Sequence, residues 1–191
     1  MTARNPPHHA TAADLAALPD DARAEIIDGD IVEKAAPGPD HGTAQLGLGA
    51  QLFQPFQRRA GNGGPGGWWL MTEVEVEYSE HQVYRHDLVG WRRERIPERP
   101  RERPVHARPD WVCEVLSASN ATNDTVKKLR TLHRHGVPHC WLVDPERGTL
   151  SVLRWTAEGY LTALTAEQSE VVRAEPFDAI ELRLPVVFGL D

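Results

Sequence analysis

Three blocks of one stretch decide the fold: Arg108-Pro-Asp-Trp-Val-Cys-Glu-Val-Leu-Ser117, Asp124-Thr-Val-Lys-Lys-Leu-Arg-Thr-Leu-His133 and Gly136-Val-Pro-His-Cys-Trp-Leu-Val-Asp144. The first is an apolar run of strand length, rich in Trp, Val and Cys and interrupted by one carboxylate, Glu114. The second places Val126, Leu129 and Leu132 at helical spacing, with Asn123 and Asp124 as caps and Gly136 and Pro138 as a stop. The third is again a continuous apolar strand. Strand, helix and strand in this order predict two parallel strands joined by a right-handed crossover. An acid inside a covered strand needs a partner, a metal or a proton, so Glu114 is the residue to explain.

Upstream, residues 1–10 carry prolines and histidines without periodicity and are expected to be disordered, leaving a single domain over 11–191. Thr11 to Leu18 predicts a short helix. Asp28-Gly29 between Ile26-Ile27 and Ile31-Val32 predicts a hairpin. His41 to Ala60 predicts a long helix whose apolar stripe is Leu46, Ala50, Phe53 and Phe56. Leu70 to Tyr78 alternates, with Val74, Val76 and Tyr78 on one face and Glu73, Glu75 and Glu77 on the other, and Gln82 to Trp91 continues as its partner strand. The three aligned acids read either as metal ligands or as the solvated face of an open sheet, the commoner case. Residues 92–109 hold seven arginines, three glutamates and four prolines in eighteen positions, a composition of loop or mobile insertion. Downstream, Thr149 to Trp155 and Tyr160 to Leu164 predict a hairpin about Glu158-Gly159, and the tail alternates from Ala179 to Leu184.

Composition narrows the function classes. No apolar run reaches the length of a membrane span and no signal peptide is evident, so a cytoplasmic protein with no membrane partner is expected. Cys113 and Cys140 lie inside core strands and form no CxxC pair, which argues against a zinc knuckle. A net charge of −7 disfavours indiscriminate coating of nucleic acid, but allows a basic patch beside an acidic metal site.

Asp87 and Glu114 lie on successive strands expected to be neighbours. Paired carboxylates suit Mg²⁺ (or Mn²⁺), which takes one or two protein acids and completes its shell with water and phosphate oxygens. Such an ion activates water for phosphodiester hydrolysis. Lys127 or Lys128, opening the next helix, could reach back to hold that water. Simpler readings stand beside these. Asp124 and Lys128 are four apart and could form only a surface pair. His86-Asp87 resembles a metal phosphohydrolase dipeptide only weakly. His133, His135 and His139 read as helix-end histidines. Asp110 shares strand parity with Glu114 and is the reserve ligand.

These segments together resemble the restriction endonuclease-like family of bacterial proteins within the PD-(D/E)XK nuclease superfamily. The matching pieces are Glu25–Val32, Pro39–Gly42, Arg85–Val89, Arg108–Ser117, Asp124–Leu129 and Gly136–Pro145, in that order. The resemblance implies an α/β fold with a mixed central sheet flanked by helices, an αβββαβ core over about 41–145, and added hairpins at both ends. It also implies a divalent metal and nuclease chemistry, with Asp87 and Glu114 as the metal-binding acids. The superfamily lysine would stand two residues after the glutamate, where this chain has Leu116; Lys128 on the following helix is its counterpart. His86 stands where the family has proline. His41 occupies a family motif and is an accessory candidate, as is Glu73.

The expected function is metal-dependent endonuclease action on nucleic acid, DNA in the first instance. The alternative is a nuclease-fold protein that has lost turnover and serves as a DNA-binding or protein-interaction module. Arg92, Arg93, Arg95, Arg99, Arg101, Arg103 and Arg108 are the expected contacts with phosphates, near the two acids. Homodimerisation is plausible for an enzyme that cuts both strands.

Overall fold

The computed structural model describes residues 9–19, 21–61, 63–117 and 122–191. Of the expected disordered terminus, residues 1–8 lie outside this set. Ala10 does not fit that expectation: it is buried, and its N–H donates to the Gly29 carbonyl at 2.8 Å. Helix α1 (Ala12–Ala16) leads to a hairpin of β1 (Ala24–Ile27) and β2 (Asp30–Glu33). Asp28 and Gly29 at its tip both have positive φ, 54° and 83°, as the two-residue turn demands.

Helix α2 (Pro39–Phe56) starts with proline at its first turn, where the missing N–H costs nothing. The expected stripe is wrong here except for Phe56. The buried residues are Ala44, Gly47, Leu48, Leu52 and Phe56, while Leu46 is 74% and Phe53 57% exposed. Gly47 sets the packing face. A Cβ there would lie 2.8 Å from the Val186 carbonyl oxygen and 2.9 Å from Val187 Cα, so only glycine admits the C-terminal backbone so closely.

Next come β3 (Trp68–Ser79), β4 (Gln82–Arg92) and β5 (Trp111–Val115). A π-helical turn over Asn123–Lys128 runs into α3 (Leu129–Arg134), and β6 (His139–Asp144) follows parallel to β5. Asn123 and Asp124 are therefore inside the helical turn rather than capping it, and Val126 is 38% exposed rather than packed. The hairpin of β7 (Thr149–Thr156) and β8 (Gly159–Glu167) extends the sheet. The tail is less extended than its alternation predicts: β9 (Val171–Val172) pairs with β10 (Leu182–Arg183), and the chain then turns into α4 (Leu184–Val187), with Pro185 in its first turn.

The mixed sheet runs β2-β1-β4-β5-β6-β7-β8, with β3 on the other edge of β4. One face packs on α2, α4 and the tail through Trp68, Trp111, Trp141 and Phe177, whose rings lie 4.8–5.6 Å from Phe177. The other face covers Val89, Val112 and Cys140 with Leu132 and Leu129 of α3. Alternation along β5 sends Trp111, Cys113 and Val115 to the α2 side and Val112 to the α3 side, the parity that Glu114 shares. Among the described residues no helix is long and apolar enough to cross a membrane.

The arginine-rich segment lacks helix or strand but is not a mobile insertion. Val105 is buried and bridges to Val76, the Trp69 indole donates to the Ile96 carbonyl (3.0 Å) and that of Trp91 to Ala107 (2.9 Å). Two aliphatic anchors and two indoles fix it where composition alone suggested none.

Candidate active site

The site lies at a fork in the sheet. One edge of β4 pairs with β3 along its length except at Asp87, while the other pairs with β1 at Val83 and with β5 from Leu88 to Gly90. Between these two pairings the backbone of β4 needs other partners, since buried peptide groups are costly unpaired. Charged side chains supply them. The Arg85 N–H donates to Glu25 Oε1 (3.0 Å), Lys34 Nζ donates to the Arg85 carbonyl (2.7 Å), and the Val115 N–H donates to Asp87 Oδ2 (2.7 Å). Glu73 breaks the β3 edge opposite, with φ 54°, and the Asp87 carbonyl takes the Gln45 amide at 2.9 Å instead.

Asp87 and Glu114 are fully buried and converge on one ammonium group. Lys34 Nζ lies 2.7 Å from Asp87 Oδ1 and 3.7 Å from Glu114 Oε2. Glu114 Oε1 accepts from His86 Nδ1 (2.6 Å), and His86 Nε2 meets the Tyr78 hydroxyl (2.7 Å). Burial, followed by the charge of Lys128, pushes the His86 pKa down to about 3, so the ring is neutral. Nδ1 then carries the proton toward Glu114, and Nε2 accepts from Tyr78.

Lys128 is 1% exposed, 2.8 Å from Glu25, 2.9 Å from Asp124 and 3.6 Å from Glu114. The π-helical turn accounts for this inward placement of Asp124 and Lys128, which are not a surface pair. Burial opposes its charge, but these acids outweigh that effect and raise its pKa.

Four buried carboxylates, Glu25, Asp87, Glu114 and Asp124, thus face two ammonium groups, Lys34 and Lys128. Burial raises Glu114 to about 7 and Asp124 to about 7, despite the lysines. Burial acts on Asp87 in the same direction, yet His41 and Lys34 hold it below the usual carboxylate range. Beside this surplus of negative charge, His41 on the first turn of α2 points Nε2 to within 3.4 Å of Asp87 Oδ1. That nitrogen and Glu114 Oε2 are buried and without a hydrogen-bond partner among the described residues. His41, Glu73 and Asp87 offer ligand atoms within 4.8 Å of one another. A cleft of about 460 Å³ lined by Gly38, His41, Ser117 and Arg147 leads in from solvent.

A family model described as "Uma2: Putative restriction endonuclease" matches residues 12–186. The chain belongs to the Uma2 family. Its fold is similar to a solved structure from Anabaena variabilis, described as a putative nuclease belonging to DUF820. The TM-score is 0.69 and identity 22%, covering 94% of this chain and 98% of that one. At that identity the likeness bears on the mixed α/β fold alone. Among curated proteins none matches. The Uma2 description supports nuclease function.

Not every expected residue reaches the site. His41 and Glu73 adjoin Asp87, and Lys128 adjoins Glu114. Asp110 does not: it sits at the far end of β5, taking the Arg92 N–H and the Arg95 guanidinium (2.8 and 2.9 Å). The arginine-rich segment joins β4 and β5 at this far end, about five residues or roughly 17 Å from Asp87 at strand rise, but its middle returns toward the site: Arg99, Arg101 and Arg103 line a cleft of about 650 Å³ with Glu73. Most of its guanidiniums are committed. Arg92 and Arg93 stack on Trp68 and Trp69 (4.6 and 3.6 Å), Arg103 grips Glu75, and Arg108 donates to the Gly136 carbonyl. Arg99 and Arg101 make no ion pair among the described residues. With Arg59 they line a groove of about 1170 Å³.

Sequence reasoning missed Lys34 and Glu25. Both sit in a short hairpin whose polar residues look solvent-facing, and they meet Asp87 and Lys128 only because β1 pairs with the distant β4.

Proposed function

We propose that this chain is a metal-dependent endonuclease acting on DNA, with His41, Glu73 and Asp87 holding a divalent cation and Glu114 and Lys128 completing the centre. The observation that carries the reading is the buried surplus of acid beside His41, with His41, Glu73 and Asp87 presenting ligand atoms within 4.8 Å of one another. Two carboxylates and an imidazole fit Mn²⁺ or Mg²⁺, the nitrogen donor favouring Mn²⁺. When bound, such an ion supplies Lewis-acid polarisation of a phosphoryl oxygen and of the attacking water. The residues do the rest. Glu114 Oε2, free of hydrogen bonds among the described residues, can accept one from that water and orient it. His86 and Tyr78 fix the carboxylate's other oxygen, so its free one keeps a single direction. Lys128 acts through Glu114. Two of its three donors serve Glu25 and Asp124, and Glu114 Oε1 lies 3.6 Å from the ammonium, so its charge steadies that carboxylate.

The groove lined by Arg59, Arg99 and Arg101 would bind the phosphate backbone beyond the site of cleavage. Two-fold pairing of chains would present one centre to each strand of a duplex. One observation favours the competing reading, a binding module without turnover: Lys128, the counterpart of the superfamily lysine, is 1% exposed and spends two of its three donors on Glu25 and Asp124.

Nicking of supercoiled plasmid tests this. Wild type should nick in Mn²⁺ and stop in EDTA, and Asp87→Ala should lower the rate by about 10²-fold or more. Salt-sensitive DNA binding with no nicking in either metal would establish the binding module instead.

A further inference from the structure

Lys34 is the least expected member of the centre. It follows β2, a strand with no apolar alternation to mark it as important, and its backbone N–H is pinned to the Arg23 carbonyl at 2.7 Å. Its side chain is 5% exposed and enters the fork between β1 and β5, where Nζ contacts the Arg85 carbonyl, Asp87 Oδ1 and Glu114 Oε2 at 2.7, 2.7 and 3.7 Å. The ammonium thus stands in the gap between the two acids that a phosphodiesterase with two ions would bridge with a metal. Glu114 Oε2 has no hydrogen bond among the described residues, and Lys34 is the cation beside it. The other oxygen, Oε1, is spoken for by His86 and lies near Lys128. An ion linking Asp87 to Glu114 would have to evict Lys34, whereas one held by His41, Glu73 and Asp87 need not.

We propose that Lys34 is a resident cation filling a second ion site, which limits the centre to one divalent ion and positions Asp87 and Glu114 for it. The inference rests on the metal-dependent reading above. Both acids can stay close without two ions because a fixed single charge between them offsets part of their repulsion, coordinates nothing and needs no supply from solution. This arrangement also assigns the ion to the α2 side of Asp87, where His41 waits, rather than to the β5 side.

The test is the number of Mn²⁺ ions per full-length chain, by calorimetric titration and by the electron paramagnetic resonance of the bound ions. Wild type should bind one ion, with the spectrum of an isolated Mn²⁺. Lys34→Met should bind two, with a spectrum broadened by a neighbouring ion. Its gain in Tm at saturating Mn²⁺ should be about twice that of wild type, since each site adds its own binding free energy. Lys34→Arg, which keeps the charge, should return to one. Lys34→Gln serves if Lys34→Met does not fold in EDTA, and both should be rescued by Mn²⁺. Two ions in wild type, or one in a folded Lys34→Met, would overturn the role of Lys34 while leaving the metal centre standing. Failure of both neutral variants to fold even in Mn²⁺ would also overturn it, because no ion could then replace the ammonium. No ion in wild type would instead remove the metal-dependent reading beneath it.

Discussion

Lys128 is held by three acids and shut away from water, and this changes what its removal should do. From sequence, Lys128→Ala is expected to abolish cleavage with folding nearly intact. The buried partners argue otherwise: Glu25, Asp124 and Glu114 would lose a counter-charge, a loss that costs roughly 3–5 kcal/mol. Urea unfolding in EDTA should therefore show a clearly lowered midpoint for Lys128→Ala, and an unchanged midpoint would mean that the network is not closed as described. Glu114 was legible because an acid inside an apolar run is conspicuous, and Asp87 because it falls on the strand expected beside it. Lys34 and Glu25 were not, because nothing local distinguishes a buried charge from a solvated one in a four-residue strand. Their meaning comes only from pairing with β4.

Among the elements, the crossover from β5 to β6 followed from its hydrophobic runs and turn residues, and so did both hairpins. Helix α2 did not. Its periodicity admits more than one stripe, and the choice was made by α4, far away in sequence, through Gly47. Gly47→Ala should therefore destabilise by roughly 1–3 kcal/mol, since backbone rather than a flexible side chain must yield. Gly49→Ala has its nearest neighbour 4.0 Å away and should stabilise by roughly 0.5–1 kcal/mol. Thermal unfolding of the pair reads both signs. The arginine-rich segment reads as a loop or mobile insertion for a similar reason: composition reveals charge but not the indoles and the buried Val105 that pin it. Asp110 belongs to that segment's closure. Asp110→Asn should leave cleavage within about twofold of wild type while amide exchange over 92–108 speeds up, because it loosens Arg95 and the Arg92 N–H. Loss of cleavage with unchanged exchange would make Asp110 a ligand after all.

At the scale of the whole molecule, a chain of net charge −7 can meet DNA only where its cations are gathered and uncommitted. Replacing Arg59, Arg99 and Arg101 together with Ser should flatten the dependence of log K on log salt by up to about 3 for duplex DNA, about 0.9 for each phosphate left without its arginine. An unchanged slope would leave the groove as solvated surface. The acid-rich fork is the complementary feature, a buried surplus of negative charge at the meeting of three strands, with an imidazole turned toward it. The central claim is that this surplus is built for a divalent cation, and the melting temperature tests it most directly. At fixed pH and ionic strength, Mn²⁺ at about a hundredfold over its Kd should add roughly 2.7 kcal/mol, or about 5–10 °C for a chain of this size. EDTA should reverse the gain, and Asp87→Asn with His41→Ala should abolish it. A wild-type Tm that does not move with Mn²⁺, or that moves equally in the double variant, would contradict the account.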